Sequence, residues 1–289
     1  MRILLTGTTG KVGGFLAQYW QDQHDVFPLT REIIDLADSA ALAHYLSQTK
    51  FDLLVNPAAL STPEGCENEP ELAKLINTEA PAIMAKVCAD QNRPFIHFST
   101  DYVLDGDIPG FKDETAACQP NNLYGETKLA GETAVLKHHP QAIVARVSWV
   151  FGSAGEGFLE KIVRQIREGV PLEGVADKFS LPTSAHEMAL VLDFLIERQE
   201  NGLFHLTQTA NEPVSWHLYA EEVAKSVHQA GLTDTITPVT PKLMQDIPVL
   251  RTNRPIHTAM TPARLQALGY PISSWQQALR ERISEMAHI

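Results

Sequence analysis

The sequence predicts a doubly wound α/β fold, a parallel sheet with helices on both faces followed by a smaller C-terminal α/β lobe. Three observations carry this. Through the first 150 residues, short apolar runs alternate with longer amphipathic ones, the pattern of strand, helix, strand. The short runs are apolar at successive positions, as strands buried on both faces require. A glycine-rich turn follows the first of them, where such a sheet would receive a ligand.

The elements follow in order. Strands are predicted at 2–7, 25–29, 52–58, 94–100 and 142–148, with helices between them at 11–22, 38–48, 70–91 and 123–137. After about residue 150, prolines and glycines punctuate more often. Helices are expected there at 156–168, 184–199, 215–230, 261–268 and 275–286, and a strand at 202–208. Residues 1–150 are expected to form the dinucleotide-binding domain, with strand and helix returning from about 184–210, and 151–289 mainly a substrate lobe.

Bulk properties narrow the function classes. The formal charge of −12 speaks against nucleic-acid or anionic-membrane binding, because either needs a basic surface. Any phosphate-bearing ligand must be held locally. Three cysteines, Cys66, Cys88 and Cys118, without C-x-x-C spacing suggest neither a disulfide framework nor a zinc site, and fit a reducing cytoplasm. The apolar run at the N-terminus stops at Gly7, too soon for a signal-peptide core, and no stretch is long enough to span a bilayer. His97 and His205 fall within predicted strands, and no histidine shows metal-ligand spacing.

The stretch "TGTTGKVG" places Gly7, Gly10 and Gly13 between the first strand and the first helix. Glycines there let the backbone turn tightly and approach a pyrophosphate at the helix N-terminus, the Rossmann-type arrangement. At the end of the second strand a carboxylate would repel a 2′-phosphate and an arginine would accept it. The chain offers Thr30 and Arg31, with Glu32 beyond, and is read as tolerating NADP.

"NNLYGETKLAGE" (121–132) puts Tyr124 and Lys128 four residues apart, on one face of a helix. A tyrosine with pKa near 10 carries protons poorly at neutral pH, and an adjacent ammonium is expected to lower that value. "STDYVLDG" (99–106) delivers Ser99, Thr100 and Asp101 to the same rim beyond the fourth strand. Together these suggest proton transfer to a carbonyl as hydride arrives.

On these residues the chain resembles the extended short-chain dehydrogenase/reductases, and within them the dTDP-4-dehydrorhamnose reductase family. The matching stretches run in order from end to end: "GTTGKVG", "ENEPELAKLIN", "FIHFSTDYVLDG", "NLYGETKLAGE", "ARVSWVFG", "DKFSLPTSA", "VSWHLYA" and "RPIHTAMTPARL". The resemblance implies NADPH or NADH as cofactor and a nucleotide-linked 4-keto-deoxysugar as substrate. It implies that Tyr124 protonates the 4-keto oxygen, that Lys128 holds the nicotinamide ribose and tunes Tyr124, and that Thr100 polarises the carbonyl. Asp101 and Trp149 match positions near the sugar nucleotide. Gly10, Lys11 and Val12 match the pyrophosphate loop, Asp35 and Leu36 the adenine-contacting pair, and Ala58, Ala59 and Leu60 the stretch running past the cofactor. Arg254 is expected to grip a nucleotide diphosphate.

The chain departs from the family at 56–67, where "NPAALSTPEGCE" stands for a sequence close to "NAAAYTAVDKAE": Pro57, Leu60, Glu64 and Gly65 are among the changes. This leaves open a reductase or epimerase of another nucleotide sugar, and a non-catalytic, cofactor-binding regulatory subunit. Some members carry glutamates that bind magnesium at a dimer contact. Here those positions are Phe15 and His186, with Glu187 next to the latter, so no metal is expected and the chain is read as a monomer or weak homodimer.

Overall fold

The computed structural model describes residues 1–248, 250 and 252–287. Val249, Arg251, His288 and Ile289, which fall within the expected 151–289 lobe, lie outside the described residues.

Strands β1 (Arg2–Thr6), β2 (Asp25–Leu29), β3 (Leu53–Asn56), β4 (Phe95–Thr100) and β5 (Ile143–Val147) form the central sheet. They are joined by a strand from the second half of the chain, Gly202–His205. All pair in parallel, in the order β2, β1, β3, β4, β5, then Gly202–His205. The order reverses between β1 and β3, so the crossovers leave in opposite directions and open a crevice above the carboxyl end of β1.

Both faces of the sheet are covered, and successive strand residues serve opposite cores. Ile3 and Leu5 of β1 pack with Leu16 and Trp20 of α1 (Lys11–Trp20) and with Met188, Leu192 and Leu195 of a helix spanning Ala185–Glu197. Leu4 points the other way, to Leu42 and Leu46 of α2 (Ser39–Gln48) and Met84 and Ala85 in the helix Ala80–Asp90. That is the physical content of the unbroken apolar runs. Trp20 Nε1 donates to Asp193 Oδ1 at 2.8 Å, pinning two helices on one face together.

The helix predicted at 70–91 is not one α-helix. It comprises α4 (Pro70–Lys74), a π-helical turn (Leu75–Glu79) and α5 (Ala80–Asp90), while a short α3 (Pro63–Asn68) precedes it. Pro81, just past the π turn, has no amide hydrogen to give to a regular ladder. The turn is kept because Asn77, at its middle and fully buried, spends its side chain on the 60–66 segment and on α6 (Leu123–His138).

The remaining elements build a second core. α7 (Phe158–Arg167), α9 (Trp216–Gln229) and α11 (Trp275–Ala287) meet around Leu159, Ile162, Tyr219, Val223, Leu279 and Ile283. α8 is the Ala185–Glu197 helix described above, and α10 spans Ala263–Ala267. Three small ladders accompany this core: β6 (Val150–Phe151) with β9 (Thr183–Ser184), β7 (Leu172–Val175) with β12 (Val239–Lys242), and β8 (Phe179–Ser180) with β11 (Val214–Ser215). β10 is the sheet strand Gly202–His205. No helix among the described residues is long and apolar enough to cross a membrane.

Candidate active site

The crevice above β1 is a groove of about 700 Å³. Gly7, Gly10, Lys11, Val12 and Gly13 line it, as do Arg31, Asp35, Leu36, Ala58, Ala59 and Leu60. Gly7 has φ +59, a left-handed conformation that glycine adopts without penalty. A Cβ on Gly13 would lie 2.3 Å from Gly7 O, so strand and helix approach only because that atom is missing. Gly10 caps α1 without a side chain, leaving its first amides to face the groove. A cradle of bare backbone at a helix N-terminus fits a dinucleotide's pyrophosphate.

At the far end of the groove β2 closes on Leu29, Thr30 and Arg31. Arg31 is 81% exposed and sits 3.4 Å from the Asp35 carboxylate. An exposed pair of this kind holds weakly, so the guanidinium is available to an incoming anion.

A second cavity, of about 290 Å³, opens beside the groove and shares Ser61 and Thr62 with it. Thr100, Asp101, Tyr124, Trp149 and Arg254 converge on it. β4 ends at Thr100, whose hydroxyl caps the following turn by accepting from Tyr102 N at 3.2 Å. α6 begins one residue before Tyr124, because Asn122 Oδ1 accepts from Gly125 N at 2.9 Å. The glycines of "NNLYGETKLAGE" let this helix sit deep: a Cβ on Gly125 would meet Tyr102 O at 2.4 Å, and one on Gly131 would meet Asn77 O at 2.2 Å. Tyr124 thereby lines the cavity together with Thr100.

One expectation is corrected. Lys128 does not lower the pKa of Tyr124. Its ammonium donates to Phe98 O at 2.6 Å and lies 3.4 Å from His97 Nε2. Burial pushes the Tyr124 phenol well above its ordinary value, with Asp101 and Cys66 adding in the same direction and the Thr100 side chain opposing them. The tyrosine is therefore held as a neutral proton donor. Burial also lowers Lys128, to about 8. His97, fully buried, is held neutral by burial and by the neighbouring ammonium.

The Lys128 shift has a measurable consequence. A lysine depressed to about 8 when folded and near 10.5 unfolded binds its proton more readily in the unfolded chain, so its burial costs most below pH 8. The cost is relieved as pH rises from 8 towards 10.5. The stability of Lys128→Met relative to wild type should fall by about 3 kcal/mol across that window. Urea unfolding at pH 7.5 and pH 10 measures it, and a pH-independent difference would contradict the assignment.

Asp101 lines the cavity but its carboxylate is engaged by the protein. Ser180 Oγ donates to Oδ2 at 3.0 Å, Thr258 Oγ1 to the same atom at 2.5 Å, and Thr100 Oγ1 to Oδ1 at 3.2 Å. Three separate segments are thus fixed at one point. Trp149 adopts φ +52, rare for an aromatic residue. Its ring packs with Phe158, Trp216 and Tyr219 at centroid distances of 6.2, 5.5 and 5.5 Å, and Trp216 also lines the cavity.

Sequence reasoning missed several contributors. Asn77 donates to Leu60 O and Thr127 Oγ1 and accepts from Leu60 N, so it holds the loop along the groove. Proline at 81 inside a predicted helix was the one available signal of the irregular turn that presents it. The pairing of Glu64 with Arg254, 190 residues apart, left no trace in sequence. Phe15 and His186 lie on the α1 and α8 surface, each ring against Tyr19.

Comparison with known proteins agrees with this geometry. The profile of the family described as "RmlD substrate binding domain" matches residues 1–288. A dTDP-4-dehydrorhamnose reductase of Salmonella typhimurium is 30% identical over 304 aligned positions, covering 99% of this chain and 98% of that protein. The crystal structure of a dTDP-4-dehydrorhamnose reductase from Clostridium acetobutylicum superimposes with a TM-score of 0.89 at 26% identity, covering 99% of both chains. The Bacillus anthracis protein of that name, solved in complex with NADP, gives 0.88 at 24% identity over 98% of this chain and 99% of its own.

Proposed function

The chain belongs to the RmlD substrate-binding-domain family, and from that premise we propose that it reduces the 4-keto group of dTDP-4-dehydro-L-rhamnose to give dTDP-L-rhamnose, with NADPH as cofactor. One observation carries the reading: a phenol held neutral beside a threonine stands in a cavity that shares a wall with a glycine-lined dinucleotide groove.

NADPH, when bound, supplies a hydride equivalent to the sugar's C4. The residues do the rest. Gly7, Gly10 and Gly13 admit the pyrophosphate to bare backbone, with Lys11 and Val12 beside it, and Arg31 takes the 2′-phosphate. Asp35 and Leu36 border the adenine, and Ala58, Ala59 and Leu60 form the wall along the nicotinamide half. Thr100 donates a hydrogen bond to the keto oxygen and Tyr124 gives it a proton. The buried Lys128 ammonium binds the ribose hydroxyls. Trp149 packs against the sugar nucleotide, Asp101 braces the cavity floor, and Arg254 grips the diphosphate. Residues 151–289 act mainly as the substrate lobe. In this reading the protein works in the cytoplasm as a monomer or weak homodimer, without metal or nucleic acid.

Purified protein should oxidise NADPH when given dTDP-4-dehydro-L-rhamnose and leave it unchanged with UDP- or GDP-linked 4-keto sugars. Conversion of the sugar without net NADPH oxidation would identify an epimerase instead. Binding of NADPH with no turnover of any sugar would leave only a cofactor-binding role.

A further inference from the structure

Arg254 is 8% exposed at its side chain, and Glu64 is 34% exposed. The arginine's Nη2 donates to both Glu64 oxygens, at 2.8 and 3.0 Å. Its Nε and Nη1 are buried without a hydrogen-bond partner, and the residue lines the cavity that holds Thr100 and Tyr124. A buried cationic donor without an acceptor is unfavourable, so Nε and Nη1 stand to gain from an anionic acceptor brought against them. The backbone on either side is fixed: Asn122 Nδ2 donates to Asn253 O at 2.9 Å, and Lys178 Nζ to Pro255 O at 2.7 Å.

Glu64 reaches Arg254 from the first turn of α3, whose N-cap is Thr62, its hydroxyl accepting from Gly65 N at 3.2 Å. Thr62 and Ser61 line both the dinucleotide groove and the cavity. Upstream, Leu60 is gripped at its N–H and its carbonyl by Asn77. From the groove wall to the carboxylate is therefore a stiff path of a few residues.

We infer that Glu64 is a positioning residue for the nucleotide diphosphate: it holds Arg254 by one nitrogen, leaves the other two for phosphate oxygens, and couples that grip to cofactor occupancy through the 57–64 segment. The inference rests on the diphosphate role proposed for Arg254. Because coupling between two sites is reciprocal, each ligand tightens the other by the same factor.

Calorimetric titration of the full chain with thymidine diphosphate, with and without saturating NADP⁺, tests this without requiring turnover. Wild type should bind the diphosphate about fivefold or more tightly when NADP⁺ is present. Glu64→Gln should weaken thymidine diphosphate by about tenfold, reduce the NADP⁺ effect to within twofold, and leave thymidine, which lacks phosphates, unaffected. Glu64→Asp, which restores the charge, should recover most of the affinity. With the keto sugar, Glu64→Gln should raise KM about tenfold at nearly unchanged kcat. Equal weakening of thymidine and its diphosphate, wild-type diphosphate affinity in Glu64→Gln, or a wild type indifferent to NADP⁺ would each overturn the inference. Thymidine diphosphate binding as described with no reduction of the sugar would instead sink the proposed reaction and leave the role of Glu64 standing.

Discussion

Tyr124→Phe should lower kcat for sugar reduction by about 10³-fold, within the range that a positioned proton donor contributes, while NADPH affinity and thermal stability stay close to wild type. The ring remains to fill its place beside Tyr102, 5.6 Å away between centroids. What is lost is one hydroxyl, beside Thr100 and held neutral by desolvation. Because its pKa is raised, the donor form persists through neutral and mildly alkaline pH, so wild-type kcat should show no loss from tyrosine ionisation between pH 6 and 9. Stopped-flow measurement of nicotinamide absorbance, with cofactor binding followed separately, checks both points. Wild-type kcat in Tyr124→Phe would remove this residue from the chemistry.

Gly13→Ala carries the second large effect. The added methyl would sit 2.3 Å from Gly7 O and 2.6 Å from Gly7 C, both backbone atoms that cannot swing aside. α1 would have to lift from β1, opening the close contact on which the pyrophosphate cradle depends and separating Leu16 and Trp20 from Ile3 and Leu5. Stability should fall by about 3 kcal/mol or more, in the range of overpacked cores, and NADPH affinity by at least about a hundredfold in whatever protein remains folded. Gly14→Ala serves as the neighbouring control, since its nearest contact, 3.1 Å, includes the Ala154 methyl group. Thermal unfolding and cofactor titration of the two variants side by side would show it. Gly13→Ala binding NADPH like wild type would contradict the close-approach argument.

Much of this architecture is legible in the amino-acid sequence. The sheet strands announced themselves because burial on both faces forces uninterrupted apolar runs, and the glycine loop because glycine adopts φ +59 at Gly7 without penalty and allows the close contact at Gly13. What escaped did so for identifiable reasons. α3 is six residues long and begins Pro63-Glu64-Gly65, which reads as a loop until Thr62 is seen capping it. Several of the rim strands span two residues each, too short to produce any periodicity. The spacing of Tyr124 and Lys128 correctly put both on one helix, yet spacing cannot say where an ammonium points. Phe98 O and His97 draw it towards the sheet. The ring of hydroxyls around Asp101, from Thr100, Ser180 and Thr258, draws on residues up to 157 positions from it, and only a folded chain brings them together.

The reaction itself is tested most directly by isotope transfer. NADPH carrying deuterium at the transferred position of its nicotinamide ring, incubated with dTDP-4-dehydro-L-rhamnose and this protein, should yield dTDP-L-rhamnose with one deuterium at C4 of the sugar and one equivalent of NADP⁺. A product without deuterium at C4, or a sugar altered with no NADPH consumed, would contradict it.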